Sequence, residues 1–249
     1  MELVGEVLGW LTDPAHWSGP SGIPVRVAEH LALSLTALLI ATAIALPVGL
    51  YVGHSGRGAR TAVNAANLAR AIPSLALIGL AVPITVLIDP QFGFKVLPTL
   101  IAMIVLGIPP ILVNAYTGVS EVDRDLTEAA AGIGLTARQV LSGIEVPLAA
   151  GVIVAGMGSA AVQIIATATL GAIFGFGGLG TYLVQGIAQN DDAMLFSGVV
   201  LVALLAVGAQ AAFAVLARVL TPRGLRAASS RDQEPVQEPV QAQGGPAAI

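Results

Sequence analysis

Apolar and polar residues do not alternate along this chain. They come in blocks. Five nearly uninterrupted apolar stretches, roughly 30–52, 68–88, 96–118, 147–173 and 193–217, are separated by short polar segments. Each reaches the roughly 20 residues that an α-helix needs to cross about 30 Å of hydrocarbon. In lipid every backbone N–H and C=O must be satisfied internally, and runs this long predict helices rather than barrel strands. Apart from Arg70, near the start of the second stretch, none contains Asp, Glu, Lys or Arg. Charge is therefore expected to be absent from the middle of every span. Pro47, Pro73, Pro83, Pro109 and Pro110 are expected to kink the helices.

Composition agrees with a membrane domain. Mean hydropathy is +0.85 and 10% of residues are charged, against about 25% in a typical soluble domain. The net charge of −4, with no basic patch outside the tail, gives no nucleic-acid footprint. The absence of cysteine excludes disulfides, thiolate nucleophiles and Cys-based zinc sites. Glu2 and Glu6 stand where a secretory leader would be basic.

Orientation follows from Lys and Arg. With the N-terminus outside, Arg57, Arg60, Arg70, Arg124, Arg138, Arg218, Arg223, Arg226 and Arg231 fall inside, and only Arg26 and Lys95 fall outside. The positive-inside rule favours that arrangement. The chain then divides into an extracytoplasmic or interfacial segment (1–28), a membrane domain (29–217) with a cytoplasmic loop (119–147), and a cytoplasmic tail (218–249). The tail, rich in Pro, Gln, Ala and Gly, cannot bury enough apolar area to order. Trp10 and Trp17 fit either headgroup depth or a solvated leader.

Few motifs carry chemistry. "GFGGLG" (175–180) matches G-x-G-x-x-G, but a membrane helix precedes it and Asp191 is too near to be the ribose-binding acid. It reads as the break that ends the fourth span, with a short surface helix over about 182–189 to follow. No P-loop can be written around Lys95, the only lysine. His16, His30 and His54 are too scattered for a metal site and read as interfacial or solvated. Asp191 and Asp192 read as a solvated external turn. Ser159, Gln163 and Thr167 recur every four residues in the fourth span, with Asn114 in the third. Such a stripe is either interhelical glue or the lining of a translocation path. With no charge in mid-span, proton coupling through buried carboxylates is not expected. Sodium coupling through backbone carbonyls stays open.

The segment "EAAAGIGLTARQVLSGIEVP" (128–147) breaks the apolar pattern on the cytoplasmic side. Gly134 suits a tight turn. Thr136 suits the cap of a helix beginning at Ala137. Pro147 suits the start of the next span, where its missing N–H is harmless.

The segment resembles the EAA loop of binding-protein-dependent ABC importer permeases. Glu128, Ala129, Ala130, Gly134, Ile144 and Pro147 match that motif at its spacing, and Val146 stands where Leu is usual. "RAIPSLALIGL" (70–80), residues 116–134 and "AAVQIIATATLGAIFGFGGLG" (160–180) look like the osmoprotectant branch of the family. Ala131 departs from that branch, which often has arginine there. The resemblance covers about 12–217.

It implies an all-α integral membrane protein of about five transmembrane helices in the type I ABC importer permease fold, multi-pass in the inner (cytoplasmic) membrane. It implies that the loop docks on a separate ABC ATPase subunit, which would use ATP and Mg, with no cofactor on this chain. It implies an extracytoplasmic substrate-binding protein and a second copy of this chain or a similar permease. The expected cargo is glycine betaine, choline, carnitine or a related quaternary amine. The alternatives are another small solute, such as an amino acid, or an ion-coupled carrier or channel.

Overall fold

The computed structural model describes residues 2–90 and 92–221. All regular structure among them is helical. Helix α1 (Glu2–Thr12) leads through a 3-10 turn at Pro14–Trp17 into α2 (Ile23–Ser55). Then come α3 (Ala59–Ala71), α4 (Ser74–Ile88), the single turn α5 (Phe92–Lys95) and α6 (Leu97–Ser120). The loop between the third and fourth spans holds α7 (Arg124–Gly132). A rod follows, made of α8 (Ala137–Val140), a π-helical turn (Leu141–Glu145) and α9 (Val146–Ala168), and it closes in a 3-10 turn at Thr169–Phe174. The chain ends with α10 (Gly180–Gln189) and α11 (Asp192–Leu220).

Small residues set the core. A Cβ on Gly49 would lie 2.7 Å from the Ala115 Cβ, and one on Gly53 2.7 Å from the Val119 Cβ. The same residues that forbid a side chain let the α2 and α6 backbones approach closely, the usual device where lipid supplies no hydrophobic drive. These contacts advance together in number, so α2 and α6 run parallel. Gly107 meets Ile164, Gly156 meets Asn114, and Gly118 meets Ala149, so α9 runs antiparallel to both. Gly158 against Phe213 and Gly151 against Thr221 make α11 antiparallel to α9. Leu33, Ala37, Ala41, Met103, Ile111 and Ile164 lie at the centre of the shared core.

This packing decides topology. Because α2 and α6 run the same way, the chain must cross back between them, and α3 with α4 makes that crossing. The stretch expected as one span at 68–88 is instead broken, and α3 and α4 meet at 93°. Pro73 is the cause: it removes an N–H and holds Ile72 extended, at φ −82° and ψ 125°. Pro47, Pro83, Pro109 and Pro110 all sit within helices. Among the described residues four helices are each long and apolar enough to span alone, and the parallel run of α2 and α6 makes the bent pair a fifth crossing.

Other boundaries also move. α2 begins at Ile23, so the expected leader 1–28 contains its first turns. Arg26 and Glu29 are accommodated there as an ion pair at 2.9 Å. α1 is docked rather than free, since Ser197 Oγ donates to the Val7 carbonyl at 3.5 Å. Trp10 stacks on His16 with ring centroids 4.0 Å apart, while Trp17 stays exposed and donates to the Leu11 carbonyl. The fourth span starts at Ala137, not at Pro147, because the π-turn carries the helix past the proline. In the turn before α11 the Asp191 carboxylate accepts from the Met194 N–H at 2.9 Å and caps the helix. The expected disordered tail lies almost wholly outside the described residues.

Candidate functional site

Two regions gather the singled-out residues: the loop at the inner end and a cavity at mid-depth.

In the loop, Asp123 caps α7 by accepting from the Asp125 N–H at 2.9 Å. Gly134 ends it with φ +94°, a conformation in which other residues are strained. There the Gly134 N–H donates to the Ala131 carbonyl at 3.0 Å, and the Leu135 N–H to Ala130 at 3.1 Å. Thr136 opens α8, and Gln139 Oε1 accepts from both its N–H and its hydroxyl at 2.8 Å. α7 is thus a short helix pinned at both ends. Ala130 faces inward, while Glu128 and Ala129 face solvent. Leu126 is 51% exposed and Ile133 82% exposed. With Ala129 between them they form a bare apolar stripe at helical spacing, flanked by the charges of Arg124, Asp125 and Glu128.

The π-turn explains the rest of the segment. Pro147 has no N–H for the carbonyl four residues back and would crowd it, so the helix widens by one residue. The Val146 N–H donates to the Leu141 carbonyl in the resulting i to i−5 bond. The widened turn rotates Glu145 inward, leaving 8% of its side chain exposed, and its Oε2 meets His54 Nδ1 at 2.6 Å. Ile144 is half-buried and Pro147 exposed. His54, Tyr116, Arg124, Glu128 and Glu145 line a cavity of about 450 Å³, and the Glu145–His54 contact clasps the π-turn to the inner end of α2. Sequence reasoning missed this clasp. Glu145 occupies a variable position of the motif, and His54 lies 91 residues away with no local signal.

The mid-depth cavity, about 320 Å³, is lined by Arg70, Leu106, Pro110, Ser159 and Gln163. Of the four residues proposed for a path, it brings together two. Asn114 Nδ2 instead donates to the Pro110 carbonyl of its own helix at 2.8 Å, and buried Thr167 donates to the Gln163 carbonyl at 2.8 Å. Arg70 was expected at the inner surface, and mid-span was expected to be uncharged. Both expectations fail, because α3 climbs alongside α6 before Pro73 breaks it.

At the outer end, the glycine-rich turn closes the fourth span as expected. Glu29 Oε2 accepts from the Gly178 N–H at 2.8 Å as well as from Arg26. Tyr182 of α10 donates to the Ser21 carbonyl at 2.8 Å. Burial raises its phenol above the usual range, with Arg26 opposing the shift and Glu29 adding to it. His30 is not solvated: it is fully buried, with Nε2 3.0 Å from the Ile165 carbonyl.

A family model described as "Binding-protein-dependent transport system inner membrane component" matches residues 45–225. The choline transport system permease protein OpuBB of Bacillus subtilis (strain 168) is 33% identical over 201 residues, covering 81% of this chain and 89% of that protein. The glycine betaine/carnitine/choline transport system permease protein OpuCB of the same organism is 32% identical over 201 residues, with the same coverages. The osmoprotectant import permease protein OsmW of Salmonella typhimurium (strain LT2) is 36% identical over 198 residues, covering 80% and 91%. Among solved structures, the inward-facing MetNI methionine ABC transporter superposes with a TM-score of 0.72 at 23% identity, covering 85% of this chain and 100% of that one. That likeness is one of fold.

Proposed function

The chain belongs to the inner membrane components of binding-protein-dependent transport systems, and from that premise we propose that it is the permease subunit of an ATP-driven osmoprotectant importer. Its fold is the all-α ABC importer permease fold, multi-pass in the inner membrane. The cargo is glycine betaine, choline, carnitine or a similar quaternary amine. The relatives' names support this class over an amino acid or another small solute.

The observation that carries the mechanism is the exposed stripe Leu126–Ala129–Ile133 on a helix pinned at both ends. A capped helix that carries an exposed apolar stripe flanked by charge suits a groove on another protein. In this reading α7 seats in a separate ABC ATPase subunit, which binds ATP and Mg. An extracytoplasmic binding protein delivers the solute at the outer end, near α10 and the glycine-rich turn. A second copy of this chain, or a similar permease, completes the path. When the ATPases close, α7 moves, and the clasp between Glu145 and His54 passes the motion to α2.

The test is reconstitution with the ATPase and binding protein into vesicles. ATP-dependent accumulation of at least one of glycine betaine, carnitine and choline is expected. Uphill uptake by this chain alone on a sodium gradient would overturn the reading. So would transport of amino acids with none of the quaternary amines.

A further inference from the structure

Arg70 stands at a depth where a charge is expensive. Leu106 and Pro110, its neighbours in the cavity, flank the midpoint of α6. Ten residues separate Pro110 from Ser120 at the inner end of α6, which at about 1.5 Å per residue is roughly 15 Å, half the hydrocarbon thickness. Arginine at such a depth normally faces a partner or a watery cavity and marks a substrate path. The ion pairs among the described residues are Arg26–Glu29 and His54–Glu145, and neither involves Arg70.

Its helix supplies an independent observation. Arg60, Asn64 and Asn67 recur at intervals of three or four along α3 and are exposed. Ala62 and Ala66 pack inward, and Arg70, exposed one turn beyond Ala66, lines the cavity. A guanidinium and two amides in a row are costly against hydrocarbon. The row runs from the start of α3 toward the cavity, where Arg70 stands with Ser159 and Gln163 on the exposed face of α9. Such a surface suits the wall of a wet passage, with a fixed positive charge beside a hydroxyl and an amide at its deep end.

We propose that Arg70 is a specificity-determining residue that takes the carboxylate of a zwitterionic solute in mid-passage. The planar guanidinium accepts a carboxylate through paired, charge-assisted hydrogen bonds. The quaternary ammonium at the other end of such a solute has no N–H and points away from the arginine. Glycine betaine and carnitine carry the required carboxylate. Choline carries only the cation and gains nothing from Arg70 but repulsion. Within the osmoprotectant class the path therefore favours zwitterions, whatever the binding protein delivers. The inference rests on the solute reading above.

The experiment measures ATP-driven uptake of glycine betaine and of choline by the reconstituted complex, for wild type, Arg70→Gln and Arg70→Lys. Co-purification of the ATPase with each variant checks assembly. In Arg70→Gln, glycine betaine uptake is expected to fall about tenfold or more, the loss typical of a charge-assisted hydrogen bond, while choline uptake holds or rises. Arg70→Lys is expected to keep most glycine betaine uptake. Gln163→Glu, which sets a competing carboxylate in the cavity and leaves Arg70 in place, is expected to shift the ratio the same way, and it decides the matter if Arg70→Gln fails to assemble. A parallel fall of both solutes, or an unchanged ratio, overturns the inference and leaves Arg70 as a packing or lipid-contacting residue. A wild-type complex that carries neither solute overturns the osmoprotectant reading itself.

Discussion

His54 and Glu145 show how one contact binds distant parts of the sequence. Their side chains meet at 2.6 Å, with the glutamate far less exposed than the histidine. Removing one partner of a part-buried hydrogen-bonded pair leaves the other unsatisfied, a loss of about 1–3 kcal/mol, whereas removing both is often nearly neutral. His54→Ala is therefore expected to lower the thermal midpoint of the purified complex. The double variant His54→Ala/Glu145→Leu should recover most of that loss. Simple addition of the two single effects would show that the contact is not energetically coupled. The individual motif residues of the inner loop were legible from spacing along the chain, as was the break at "GFGGLG". The clasp was not, because a side chain's long-range partner leaves no periodic trace. Arg70 was misread for the same reason: its depth depends on which helix α3 climbs.

Among the elements, α7 and its two ends form a small rigid lever. Gly134 has open space around the position of a Cβ, but its φ is +94°. A bulky substitution there meets no neighbour and instead strains the backbone, by roughly 1–3 kcal/mol. Gly134→Val is expected to insert normally, to retain ATPase turnover in the assembled complex, and to lose most solute uptake. Uptake at the wild-type rate in vesicles would show that the turn geometry is not needed for coupling. The helical periods of α2, α6, α9 and α11 could be read directly, since lipid demands long apolar helices. Their ends could not. α2 extends outward past charged residues because Arg26 and Glu29 neutralise one another, and the fourth span extends inward past Pro147 because a π-turn absorbs the proline. Helix propensity and hydropathy register neither compensation.

Taken together, the helices form a bundle whose topology across the membrane can be tested cheaply, because the chain has no cysteine of its own. Ser55→Cys and Asp125→Cys should label from the inner face, and Phe92→Cys and Asn190→Cys from the outer, with membrane-impermeant maleimides. Labelling of Ser55→Cys and Phe92→Cys from the same side would mean that α3 and α4 turn back without crossing. Hydrophobic blocks and the spacing of the inner loop sufficed to read a multi-pass all-α membrane protein and its family resemblance, and the arginine bias supplies the orientation that the labelling tests. These are properties of composition and of local repeat, which the bilayer imposes on any chain that spans it. Folding added what depends on packing: the 93° break that makes α3 and α4 a crossing, the clasp of α2 onto the loop, and the placing of Arg70 beside Ser159 and Gln163. Those follow from which small residues let which backbones approach, and that is a relation between segments far apart in the chain rather than a pattern within any one of them.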